Sequence, residues 1–79
     1  MDLQLQEKIS HMLHVSPIST EGINTGVIWK LPTHYIKVYD TKGINMFHLQ
    51  VYRYERDIPF IDMDVPLNEL LKFIRGHQK

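Results

Sequence analysis

Five histidines, four tyrosines and nine acidic residues hold most of the chemistry this chain offers, and no cysteine stands among them. Without a thiol there is no disulfide, no thiolate zinc site and no sulfur nucleophile. Imidazoles and carboxylates alone can hold zinc. His11 and His14 lie at i, i+3, and Asp62 and Asp64 alternate. Neither spacing matches a set such as His-Glu-x-x-His, so no metal and no cofactor are expected. Glu55, Asp62 and Asp64 do not form a defined carboxylate pair; alternating acids suit an edge strand guarded against other sheets. There is no glycine-rich phosphate loop, nucleophile elbow or Walker-type run. The chain therefore reads as a binder rather than an enzyme.

Tyr35, Tyr39, Tyr52 and Tyr54 are more suggestive, because they alternate with Lys37, Met46 and His48 in two runs. Only a sheet can gather them. Tyr39 to Ile44, Tyr-Asp-Thr-Lys-Gly-Ile, supplies the turn. Asp at its start and Gly three positions later suit a type I turn closed by a bulge, with Gly43 left-handed. This sets Tyr39 opposite Ile44, Lys37 opposite Met46, Ile36 opposite Phe47 and His34 opposite Leu49. Side chains alternate across a sheet. One face then carries His34, Ile36, Val38, Phe47, Leu49 and Val51, and is the core face. The other carries Tyr35, Lys37, Tyr39, Met46, His48, Gln50, Tyr52 and Tyr54.

A second tight turn at Leu31-Pro32-Thr33-His34 sets Trp29 against Ile36 and Val27 against Val38. It adds Val27 and Trp29 to the core face, and Ile28 and Lys30 to the outer one. Two turns read independently thus agree on the faces. Ile58 to Val65 is a candidate fourth strand, with Pro59 near its start.

Asp2 caps a first helix running to about His14, with Leu5, Ile9, Met12 and Leu13 on one side. Val15-Ser16-Pro17 ends it. Pro17 to Gly26 reads as loop, with Ile18 and Ile23 pinning it to the core edge. Pro66 opens a second helix, whose stripe is Leu67, Leu70, Leu71 and Ile74, broadened by Phe73. Gly76 ends it, and His77, Gln78 and Lys79 read as a frayed end. The fold class is α+β: two layers, an antiparallel meander of three to four strands, and both helices on its apolar face.

Residues 1–79 make one domain. Lysine plus arginine and aspartate plus glutamate each number 9, so net charge is zero. That gives no global attraction to nucleic acid or anionic membrane, and it favours self-association. No signal peptide or long apolar span is read, and a cysteine-free small chain suits a reducing compartment, so a cytoplasmic location is expected.

The element order resembles double-stranded-RNA-binding domains and the small RNA-cleaving toxins of the HicA type. That resemblance implies RNA binding or RNA cleavage, with His34 as the one catalytic histidine. This chain has Pro32-Thr33 where the toxins carry Gly-Ser before the histidine, and Leu67 to Arg75 lacks the lysine cluster that grips phosphate. The leading expectation is a non-enzymatic binding or regulatory protein, meeting a protein partner or a second copy through Tyr35, Lys37, Tyr39, Met46, His48, Tyr52 and Tyr54. The alternative is the RNA reading.

Overall fold

In the computed structural model, residues 2–19 and 26–77 are described, Ser19 by its backbone alone. Helix α1 spans Leu3–Leu13. Strands follow at β1 (Ile18–Ser19), β2 (Gly26–Lys30), β3 (His34–Asp40), β4 (Met46–Arg53) and β5 (Ile61–Pro66), and helix α2 spans Leu67–Arg75. The strands pair antiparallel in chain order, β1-β2-β3-β4-β5. A four-stranded meander thus lies between two helices, with the two-residue β1 added at its edge. That short strand departs from the loop expected over Pro17 to Gly26: Ile18 pairs with Ile28. The proposed anchor Ile23 and the terminal Gln78 and Lys79 lie outside the described residues.

The helices follow their caps. The Asp2 carboxylate accepts the Gln4 N–H at 3.2 Å, satisfying a free donor of the first turn. His14 closes α1 in the left-handed region at φ 58. β5 runs straight into α2: Pro66 is both last strand residue and N-cap, with no side-chain cap bond. Instead, the Leu67 N–H donates to the Asn45 carbonyl at 2.9 Å, so the β3–β4 loop caps the second helix. Gly76 ends α2 without turning left-handed.

The core is one cluster. Ile9 and Leu13 of α1 and Leu70 and Ile74 of α2 bury against Val27, Trp29, Ile36, Val38, Leu49, Val51 and Val65. Both helices therefore cover the same sheet face. Trp29 is fully buried, and its indole N–H donates to Ser10 Oγ at 2.9 Å. The Ser10 hydroxyl in turn donates to the Gln6 carbonyl at 2.7 Å, so the one polar atom of the buried indole is satisfied.

The first turn, Leu31 to His34, has the anticipated register: Trp29 faces Ile36, and the Leu31 N–H reaches the His34 carbonyl at 2.8 Å. The second turn does not. Tyr39 faces His48, Ile36 faces Val51 and His34 faces Arg53. The loop is wider because Thr41 Oγ1 donates to the Met46 carbonyl and accepts the Gly43 N–H. The left-handed residue is Asn45, at φ 55, not Gly43. Asparagine tolerates that conformation better than most side chains. The register moves by four residues, an even number, so each side chain keeps its face. Phe47 moves to the sheet's end, where it is only half-buried against the core.

Candidate functional site

The face away from the helices carries a continuous polar and aromatic surface. Tyr35 and Tyr52 are directly opposite one another, and their rings stack with centres 5.0 Å apart and planes within 4°. Tyr54, just past β4, extends the row at 5.8 Å from Tyr35, and its hydroxyl donates to the Leu31 carbonyl. The Lys37 Nζ lies 5.4 Å from the Tyr52 ring centre and 5.8 Å from that of Tyr39. Tyr39 in turn lies across Gly26: a Cβ there would sit 2.4 Å from the ring, so glycine is what lets the ring lie flat on β2. Met46 is at the far end of the same face, beside the β3–β4 loop.

His48 sits between two acids of β5. Its Nε2 is 2.6 Å from Asp62 Oδ1 and its Nδ1 is 2.6 Å from Asp64 Oδ1. Each imidazole nitrogen thus lies within hydrogen-bond distance of one carboxylate oxygen, which holds the ring between the two acids. Gln50 reaches Asp62 at 3.5 Å, and Tyr52 donates to Gln50 at 3.4 Å. The surface thus runs from cationic at β2–β3, with Lys30 and Lys37, through tyrosine, to acidic at β5.

Burial works against the Lys37 ammonium, but Tyr39, through a hydrogen bond and its charge, and then Tyr52 and Tyr35 outweigh it and hold the pKa above the ordinary lysine value. Burial raises the Tyr52 phenol, with Lys37 pulling the other way.

The sheet gathers the expected residues on one side, Tyr54 at its margin. Asp62 and Asp64 were not counted among them. Their alternation was visible, but the β4–β5 register that sets His48 between them was not.

His34 is on the core side at the start of β3, half-buried at the sheet's end. Its Nδ1 is 2.9 Å from Thr33 Oγ1, and its Nε2 is buried without a partner. Its ring centre is 5.3 Å from that of His77 and 6.5 Å from that of Phe60. His77 is therefore not a frayed end: it packs on Phe73 at 4.5 Å, and its Nδ1 donates to the Phe73 carbonyl at 3.1 Å. A cleft of about 470 Å³ opens beside this pair, lined in part by Leu13, Val15, Leu31 and Pro32.

Burial, then the charges of His77 and Arg53, hold the His34 pKa below 6.5. The unfolded chain therefore binds a proton there more readily than the folded one. That contribution to stability is complete above 6.5 and is lost as pH falls through the folded value. The melting temperature is expected to drop between about pH 7.5 and about pH 5, and to drop less in His34→Gln. Equal pH slopes in the two proteins would show that His34 is as easily protonated folded as unfolded.

Among the described residues, no group of three or more His, Cys, Asp or Glu side chains is placed to hold a metal ion, and no helix is long and apolar enough to cross a membrane. No family model, curated protein or solved structure matches the chain.

Proposed function

We propose that this is a non-enzymatic binding protein whose open sheet face meets a second copy of itself. The observation that supports this reading is the self-complementary layout of the face. Lys30 and Lys37 lie toward one edge, Asp62 and Asp64 on the opposite edge strand, and the stacked Tyr35–Tyr52 pair between them. Consider a two-fold axis parallel to the strands, between two such faces. It sets β2 of one copy over β5 of the other and β3 over β4, so tyrosines meet tyrosines, and Lys37 of one copy comes level with Asp62 of the other, one strand to the side. Interfaces of this isologous kind are the commonest in oligomers. Zero net charge leaves no long-range repulsion to oppose it.

The magnitude sets the class of dimer. Four strands about 4.8 Å apart and seven residues long at about 3.3 Å each give a face of about 440 Å² in plan. Two such faces cover about 880 Å², below the about 1,200 Å² at which specific, stable interfaces begin, so the association is weak and concentration-dependent. The same face, with two lysines against two aspartates, offers few cations to release counterions from phosphates, which disfavours the RNA reading.

A charge swap tests this. Lys37→Glu alone is expected to shift sedimentation to monomer. Lys37→Glu with Asp62→Lys is expected to recover part of the dimer, because each altered charge then meets its altered partner across the axis. RNA added to the same runs should leave the boundary unchanged at physiological salt. A monomer at every concentration in the unaltered chain would remove the homodimer reading, and a boundary carried by RNA would replace it with the alternative.

A further inference from the structure

A second feature lies on the other side of the sheet and does not depend on the dimer. We propose that the Nε2 atoms of His34 and His77 form a two-imidazole site for a divalent transition-metal ion such as zinc.

Both rings are already held as metal-ligating imidazoles usually are. A bound histidine generally ties its other nitrogen to a carbonyl or hydroxyl that fixes the tautomer. The His77 Nδ1 lies 3.1 Å from the Phe73 carbonyl oxygen. A carbonyl only accepts, so in the neutral ring the proton is on Nδ1 and Nε2 carries a lone pair. The His34 Nδ1 lies 2.9 Å from Thr33 Oγ1. A hydroxyl both donates and accepts, so this contact admits either tautomer; in the one with the proton on Nδ1, the His34 Nε2 carries a lone pair as well. This atom is buried and lacks a hydrogen-bond partner, which a native chain rarely leaves unexplained.

The spacing suits a shared ion. Two imidazoles on one tetrahedral ion, with nitrogen–metal distances of about 2.0–2.1 Å, put their ring centres about 5 Å apart. Those of His34 and His77 are 5.3 Å apart.

The helix ends at this cleft favour a cation, in opposition to the burial and the Arg53 charge that disfavour one at His34. The adjoining cleft is bounded by His14 and Gly76, the C-caps of α1 and α2. Helix C-termini present unpaired carbonyls and the negative end of the dipole. Arg53 is the nearby opposing charge, but its guanidinium lies over the Phe60 ring, 5.6 Å from its centre. With no third protein ligand grouped there, water completes the shell, and the affinity is well below that of a closed structural zinc site. The rival account is a proton shared between the two nitrogens.

Zinc chloride titrated into the full chain, followed by calorimetry and by histidine ring nitrogen spectra, separates the two. One equivalent should bind, with the Nε2 signals of His34 and His77 moving together. His34→Ala and His77→Ala should each weaken zinc binding by at least about tenfold, and Thr33→Val by about tenfold through the lost orienting hydroxyl. His11→Ala, on the exposed side of α1, should leave it unchanged. Helical and strand circular dichroism checks that each variant is folded, and His77, near the chain end, is the safer change. Zinc affinity unaltered in His77→Ala, zinc shifts at His11 or His48 instead, or ring signals that answer only to pH would each overturn the proposal, the last in favour of the shared proton.

Discussion

Trp29→Ala is expected to remove most of the protein's stability and to leave a measurable unfolded fraction at room temperature. The indole is fully buried, and it is the largest side chain in the core. It joins β2 to α1 through packing and through its N–H on Ser10 Oγ. Deleting a buried tryptophan costs about 3–5 kcal/mol, the transfer term plus the cavity left behind. Single domains are stable by about 5–15 kcal/mol, and a chain this short belongs at the bottom of that range. Trp29→Phe keeps most of the volume and loses the indole bond, so its urea midpoint should fall between those of the unaltered and alanine chains. An alanine variant with an unchanged midpoint would mean that α1 does not pack on β2.

The second large effect concerns association. Tyr35→Lys with Tyr52→Glu is expected to abolish the dimer while leaving the monomer folded. The two positions face each other across β3 and β4, so the new side chains can pair, and an exposed cross-strand ion pair is close to neutral for stability. Between two copies the same change replaces stacked rings with charges that lose their water on docking. Sedimentation over a range of concentrations reads the first effect, and the melting temperature at low concentration the second. A double variant that still dimerises would move the interface off this face.

The faces of the sheet were legible in the sequence although one register was not. The Asp40 to Gly43 spacing pointed to a tight turn, but the Thr41 hydroxyl stitches a longer loop that no turn pattern describes, and Asn45 takes the left-handed position. The pairing slipped by four, and alternation has a period of two, so the tyrosine row stayed outside and Ile36, Val38, Leu49 and Val51 stayed inside. What failed was what depended on which residue of β3 sits opposite which residue of β4. Phe47 looked central and is peripheral. His48 looked unattached and is bracketed by Asp62 and Asp64, because the irregular path from Tyr54 to Phe60 hides the β4–β5 register. His77 beside His34 was out of reach altogether, since 43 positions separate them in the sequence and only helix packing brings them together.

The strictly sequential strand order has a kinetic consequence. Each strand pairs with the next one made, so the sheet zips from contacts close in the chain, and small loops close quickly. The packing of α1 on α2 is different, because it joins elements far apart in the sequence. Its closure entropy is expected to be paid last, with a transition state that holds a formed meander and loose helices. A chevron plot would place Leu70→Ala mainly in the unfolding arm and Leu49→Ala in the folding arm. On that account the chain is quick to fold, and its resistance to opening is set where α1 meets α2.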